Sequence, residues 1–168
     1  CYRAQNNYPH QVAAALDLDL TDVTCSGAVT ANITTPPGQV TMTGFGPLPI
    51  QGEALDADTD IVTVTIGGND LGFADVAAFC VVPVAGAGPI GAPTDDNCRE
   101  HYVFTAGGVT VDELADRLEF VVSLRLAETM QYITTQAPNA RVFVVGYPQI
   151  APTFTRFPTG CYSPALGP

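Results

Sequence analysis

The chain has 168 residues, 46% of them hydrophobic, which is material for one domain over residues 1–168 with a sizeable apolar core. Its formal net charge is −11 and it contains no lysine, so a phosphate backbone would be repelled and nucleic acid is excluded as a partner. No uninterrupted apolar segment approaches the roughly 18 residues of a transmembrane helix, because Phe79 to Ala92 is broken by Pro83, Gly86, Gly88 and Pro89.

In chain order, the first expected helix runs from Pro9 to Leu16, with proline at a favourable first helical position. Leu20 to Thr24 (LTDVT) reads as a short strand leading into the turn Cys25-Ser26-Gly27-Ala28. A loop rich in glycine, proline and threonine follows over Thr34 to Pro49, then a short helical piece starting at Gln51. Asp56 to Asp60 has the acidic spacing of the start of a calcium loop, but Ile61 stands where the turn glycine belongs, so a solvated acidic turn is expected. Ile61 to Ile66 is a β-branched strand with both faces covered, and Phe73 to Phe79 a short helix. A second long loop spans Val81 to Gly108. Its Gly86-to-Gly91 segment has no lysine, no preceding strand and no following helix, so it is not a phosphate loop. A long helix is expected from Val111 to Thr135, striped by Leu114, Leu118, Val121, Val122 and Met130 and closed by Pro138. Arg141 to Val145 is the last strand. Strands alternating with helices imply an α/β fold with a parallel sheet. Loops as long as 34–49 and 81–108 are expected either to wall a substrate cleft or to be surface insertions.

The segment Ile61 to Asp70, IVTVTIGGND, carries the most chemistry. Ligands in open α/β sheets bind beyond the carboxyl ends of strands, and here Gly67-Gly68 turns the backbone tightly and leaves room beside Asn69, a neutral N–H donor. The same residues also suit a plain turn, with Asn69 or Asp70 capping a helix. No His/Cys cluster has zinc spacing, and no metal or other cofactor is expected. Asn32-Ile33-Thr34 is a glycosylation sequon that matters only in a glycosylating host.

Taken together, Cys1, Tyr8-Pro9, Cys25 to Ala28 (CSGA), the Gln51 to Leu55 piece, Gly67 to Phe73 (GGNDLGF) and Gly146-Tyr147-Pro148 resemble the ordered blocks of the SGNH hydrolases, or GDSL esterases and lipases, in their secreted, disulfide-containing branch. The resemblance implies a three-layer, flavodoxin-like α/β/α fold, an ester substrate (lipid, small ester or acetylated polysaccharide) and a monomer. It implies that the Gly27 N–H and the Asn69 side-chain amide form an oxyanion hole, with Asp70 serving loop or helix-cap structure. It also implies disulfides Cys1–Cys25 and Cys80–Cys98, leaving Cys161 unpaired, and hence an extracellular compartment.

The family's G-D-S serine and D-x-x-H histidine have no counterpart in these residues. The expectation is a domain truncated at both ends and inactive as it stands, lacking the first strand that flavodoxin-like order places between the second and third. Such a fragment is expected to fold poorly alone. Five cysteines cannot all pair internally, which agrees with a missing segment. Of the serines Ser26, Ser123 and Ser163, only Ser26 sits near a glycine turn, and Thr-Cys-Ser-Gly-Ala lacks the first glycine of a nucleophile elbow. His10, in the first helix, and His101, in an irregular region after Cys98, show no carboxylate orienter in the sequence, and both read as surface or packing histidines. The competing reading is a non-catalytic α/β module that binds carbohydrate or lipid in a degenerate cleft.

Overall fold

The computed structural model describes residues 1–40, 47–80 and 95–148, with the backbone course alone at 79–80 and 95–98. The elements are α1 (Tyr8–Leu16), α2 (Ala31–Thr34), a 3₁₀ turn (Gln51–Ala54), β1 (Ile61–Val64), α3 (Gly68–Leu71), α4 (Phe73–Cys80) and α5 (Asp95–Tyr102). They continue with β2 (Val103–Ala106), β3 (Val109–Asp112), α6 (Glu113–Arg117), a π-helical turn (Leu118–Val122), α7 (Ser123–Gln136) and β4 (Arg141–Val144). The described residues fall into two compact units, one within 1–70 and 123–146, the other within 71–122 and 147–148. Among the described residues no helix is long and apolar enough to cross a membrane.

The first unit holds the parallel pair that the sequence order implies. β1 and β4 run parallel, Ile61 opposite Arg141 and Val64 opposite Val144, with Val145 N–H donating to Val64 O at 2.9 Å beyond the last pair. The core is built where the apolar face of α7 meets this ladder. Ile133, Ile33 and Val64 are buried together, and Leu55, Val62, Ile66, Met130 and Val142 pack around them. Thr129 and Ile133, four residues apart on α7, share its buried face as helical geometry requires. Gly52 lets the 3₁₀ turn press into this core, since a Cβ there would collide with the Tyr132 ring and the Ile33 carbonyl.

α1 starts as expected. Asn7 Oδ1 accepts from the His10 N–H at 3.3 Å and Pro9 sits in the first turn. The helix stops at Asp17, whose left-handed backbone (φ 53°) lets its N–H reach Ala13 O.

Leu20 to Thr24, expected as a strand, is irregular, and among the described residues it joins no sheet. Side chains satisfy the backbone groups that a ladder would otherwise take. Arg3 Nε donates to Thr24 O at 2.7 Å and Arg3 Nη1 to Asp22 O at 2.5 Å, while Asp22 Oδ1 accepts from the Thr24 N–H at 2.9 Å. The Cys1–Cys25 disulfide closes the same segment. Between Leu18–Thr24 and Asp58–Thr63 lies a groove of about 670 Å³.

Asp22 is the hub of this corner. Its side chain is 5% exposed and also accepts from Asn7 Nδ2 at 2.9 Å and Thr24 Oγ1 at 2.7 Å, with Arg3 Nε at 3.7 Å. Burial pushes the carboxyl up. The hydrogen bonds from Thr24 and Asn7 together with the Arg3 charge outweigh that and hold it below the usual 3.8. A carboxyl depressed on folding adds stability at pH values above its unfolded value, and that contribution disappears as pH falls through the folded value. Asp22→Asn should therefore flatten the acid limb of a stability-versus-pH curve below about pH 4 while costing stability at pH 7. Parallel acid limbs for the two proteins would show that Asp22 carries no such coupling.

In the second unit the structure departs most from expectation. The segment 95–108, expected as loop, contains α5 and β2, and His101 therefore lies on a helix rather than in an irregular region. β2 and β3 form an antiparallel hairpin, Val103 opposite Asp112 and Ala106 opposite Val109. Gly107 and Gly108 make its two-residue turn, both with positive φ (57° and 82°), as a type I′ turn demands. The single helix expected from Val111 is accordingly split. Val111 belongs to β3, and Asp112 caps α6 by accepting from the Ala115 N–H at 3.0 Å. The π-helical turn then intervenes before α7. Of the expected stripe, Val122 is buried while Leu118 and Val121 are exposed.

The side chains of Cys80 and Cys98, and Cys161, Ser163 and the 86–91 segment, lie outside the described residues.

Candidate active site

The candidate site forms where the Cys25–Thr30 segment meets the loop after β1. Ala28 N–H donates to Cys25 O at 3.1 Å, closing a β-turn with Ser26 and Gly27 at its centre. Gly27 has φ +79°, a conformation that residues with a Cβ rarely adopt. Gly67, at φ +105°, makes the corresponding bend after β1 and delivers α3 with Asn69 and Asp70.

Three side chains hold this turn segment from across the fold. Asn69 Nδ2 donates to Ala28 O at 2.9 Å, so one of its amide hydrogens is engaged next to Gly27. Asp70 Oδ2 accepts from the Thr30 N–H at 2.9 Å and Oδ1 from the Thr30 hydroxyl at 2.5 Å. Gln39 Nε2 donates to Ser26 O at 2.9 Å. Among the described residues the Gly27 N–H has no acceptor.

Asp70 thus holds Thr30, the residue that leads into α2, from forty positions away in sequence. Its side chain is fully buried (0% exposed), and Arg125 Nη1 on α7 lies 3.4 Å from Oδ1. Thr30, Gln39 and Arg125 were not legible as site supports, because residues 40 and 55 positions apart leave no local pattern.

Ser26 contributes its carbonyl, and among the described residues no base is bonded to its hydroxyl. His10 does have a carboxylate beside it, contrary to the sequence reading. Its Nδ1 lies 2.6 Å from Asn7 Oδ1 and 3.5 Å from Asp22 Oδ2. The ring is spent on the N-terminal corner rather than on the turn at Gly27. His101 stacks edge-on against Tyr102 at 4.7 Å in the second unit. The sequon at Asn32 is engaged as well, since Asn32 Oδ1 accepts from the Val29 N–H at 2.9 Å and Ile33 is buried. Asp56 Oδ1 accepts from Asp58 N–H and Thr59 Oγ1, which makes 56–60 a turn as expected. Among the described residues no group of three His, Cys, Asp or Glu side chains could hold a metal ion.

A parallel strand pair flanked by helices, with a glycine turn and an Asn-Asp loop meeting at the carboxyl end of a strand, is the α/β fold of SGNH-type hydrolases. The chain belongs to the GDSL-like lipase/acylhydrolase family, whose model matches residues 1–165. It is 35% identical to Lipase 2 of Streptomyces coelicolor over 90% of this chain and 45% of that protein. It is 31% identical to an esterase of Streptomyces scabiei over 99% of this chain and 49% of that one. The crystal structure of phospholipase A1 from Streptomyces albidoflavus superposes with a TM-score of 0.56 at 30% identity, covering 84% of this chain and 46% of that enzyme. An extracellular lipase from Streptomyces rimosus gives 0.57 at 27% identity, covering 84% and 47%. The chain therefore spans a little under half the length of these relatives.

Proposed function

We propose that these residues belong to a secreted serine esterase or lipase and supply its oxyanion hole, formed by the Gly27 N–H and the second hydrogen of the Asn69 carboxamide. The observation that carries this reading is the Asn69 Nδ2–Ala28 O hydrogen bond, which ties the carboxamide to the turn that presents Gly27. Attack on an ester carbonyl places negative charge on its oxygen, and fixed donors aimed at that position stabilise it. An unpartnered main-chain N–H beside a tethered carboxamide suits that task.

In this reading the nucleophilic serine of the G-D-S block and the histidine of the D-x-x-H block come from polypeptide outside these 168 residues. The histidine takes the serine proton, the acyl group passes to serine, and water then releases it. No cofactor is needed. The substrate is an ester, of a lipid, a small alcohol or an acetylated polysaccharide, and the enzyme works as an extracellular monomer. The names of the relatives, lipase, esterase and phospholipase A1, support the ester class.

The test uses the full-length protein. Hydrolysis of p-nitrophenyl butyrate and covalent labelling by a fluorophosphonate are the expected results. A folded full-length protein that does neither would leave a non-catalytic binding module in its place.

A further inference from the structure

We propose that Gln39 is a positioning residue for the oxyanion hole, which it sets by locking the orientation of the Ser26–Gly27 peptide; the proposal rests on the oxyanion reading above. The Ser26 carbonyl and the Gly27 N–H belong to one planar trans peptide and point in opposite directions, so whatever fixes the carbonyl fixes the N–H. Gln39 Nε2 donates to that carbonyl at 2.9 Å.

This peptide is the one most in need of a lock. The turn closed by Ala28 N–H and Cys25 O has Gly27 at its third position with φ +79°, the type II form. Types I and II differ by a flip of the central peptide, here the 26–27 unit, and glycine at the third position admits both. In the flipped form the Gly27 N–H would point to the side now taken by the Ser26 carbonyl, away from the acceptor it is proposed to hold. The Gln39 hydrogen bond is available only to the type II form, and a donor bound to the carbonyl also polarises the amide and strengthens its N–H.

Gln39 itself is firmly based. Its carbonyl accepts from the Leu48 N–H at 2.9 Å, and a Cβ at the preceding Gly38 (φ +81°) would collide with Leu48 O. Its Oε1 is buried without a partner, an arrangement that costs stability, and its side chain makes one hydrogen bond, to Ser26, among the described residues. The Ser26 carbonyl also fixes which way the carboxamide points, because the reversed amide would set two oxygens against each other.

The experiment compares Gln39→Met, which keeps length but loses the donor, Gln39→Glu, which turns donor into acceptor, and Gln39→Lys, which restores a donor, in the full-length enzyme. For p-nitrophenyl butyrate, Gln39→Met is expected to lower kcat about tenfold with KM and the melting temperature little changed, with Gln39→Glu at least as severe. Binding of a tetrahedral boronic acid should weaken by the same factor as kcat/KM, and Gln39→Lys should recover most of the loss. If Gln39→Met and Gln39→Glu retain full kcat while Asn69→Ala does not, Gln39 has no such role and the oxyanion reading stands. A loss that follows melting temperature rather than boronate affinity would likewise overturn it. Full activity in both the Gln39 variants and Asn69→Ala would instead remove the oxyanion reading itself.

Discussion

Replacing Asn69 with alanine in the full-length protein is expected to lower kcat for a short-chain ester about a hundredfold, close to 3 kcal/mol of transition-state stabilisation, with KM nearly unchanged. The carboxamide is tethered through one hydrogen to Ala28 O, and in the proposed oxyanion hole the other is left for the substrate oxygen as charge develops there. A contact that strengthens only in the transition state acts on kcat rather than on KM. Loss of the Ala28 hydrogen bond adds a stability cost of about 1 kcal/mol, small enough for the variant to remain folded. Steady-state kinetics with a melting curve on the same sample separates the two effects. An undiminished kcat in a folded variant would take Asn69 out of the oxyanion hole.

Asp70→Ala should be the most damaging single change to stability in the site, at about 3 kcal/mol. The variant strands the Thr30 N–H and hydroxyl in a place where Thr30 is only 3% exposed, and both currently donate to the Asp70 carboxylate. Arg125 contributes far less to the same cluster. It is 52% exposed and 3.4 Å from the carboxylate, so solvent screens the pair and Arg125→Ala should cost under about 1 kcal/mol. Urea unfolding of both variants gives the comparison, and equal costs would mean that the ion pair rather than the Thr30 hydrogen bonds holds the segment. Because Asp70 adjoins Asn69 and grips the end of the Cys25–Thr30 segment, Asp70→Ala should also lower kcat by more than its folded fraction accounts for.

The hairpin of the second unit is encoded locally. Val103-Phe104-Thr105 and Val109-Thr110-Val111 are β-branched and aromatic runs flanking Gly107-Gly108, the local signature of a hairpin. The apolar stripe of 114–130 is helical, whereas Val111, just before it, pairs with Phe104 across the ladder. Leu20–Thr24 differs from its composition in the opposite sense. The residues suit a strand, but a strand exists only beside a neighbour, and here Arg3 and Asp22 satisfy the backbone groups instead.

What the sequence determined alone was local and periodic. The Ile61–Val64 and Arg141–Val144 strands, the proline in the first turn of α1, the apolar period of α7 and the turn glycines at 27 and 67 all follow from side-chain branching, spacing and backbone freedom within a few residues. Tertiary structure alone decided the contacts that make a site of them: Asn69 on Ala28, Asp70 on Thr30, Gln39 on Ser26, and a carboxylate beside His10. Those bonds join residues 12 to 41 positions apart, or more where Arg125 enters, and each depends on a donor meeting an acceptor at hydrogen-bond range. No propensity or period encodes such a meeting, because it exists only after the βαβ core has packed and brought the loops together.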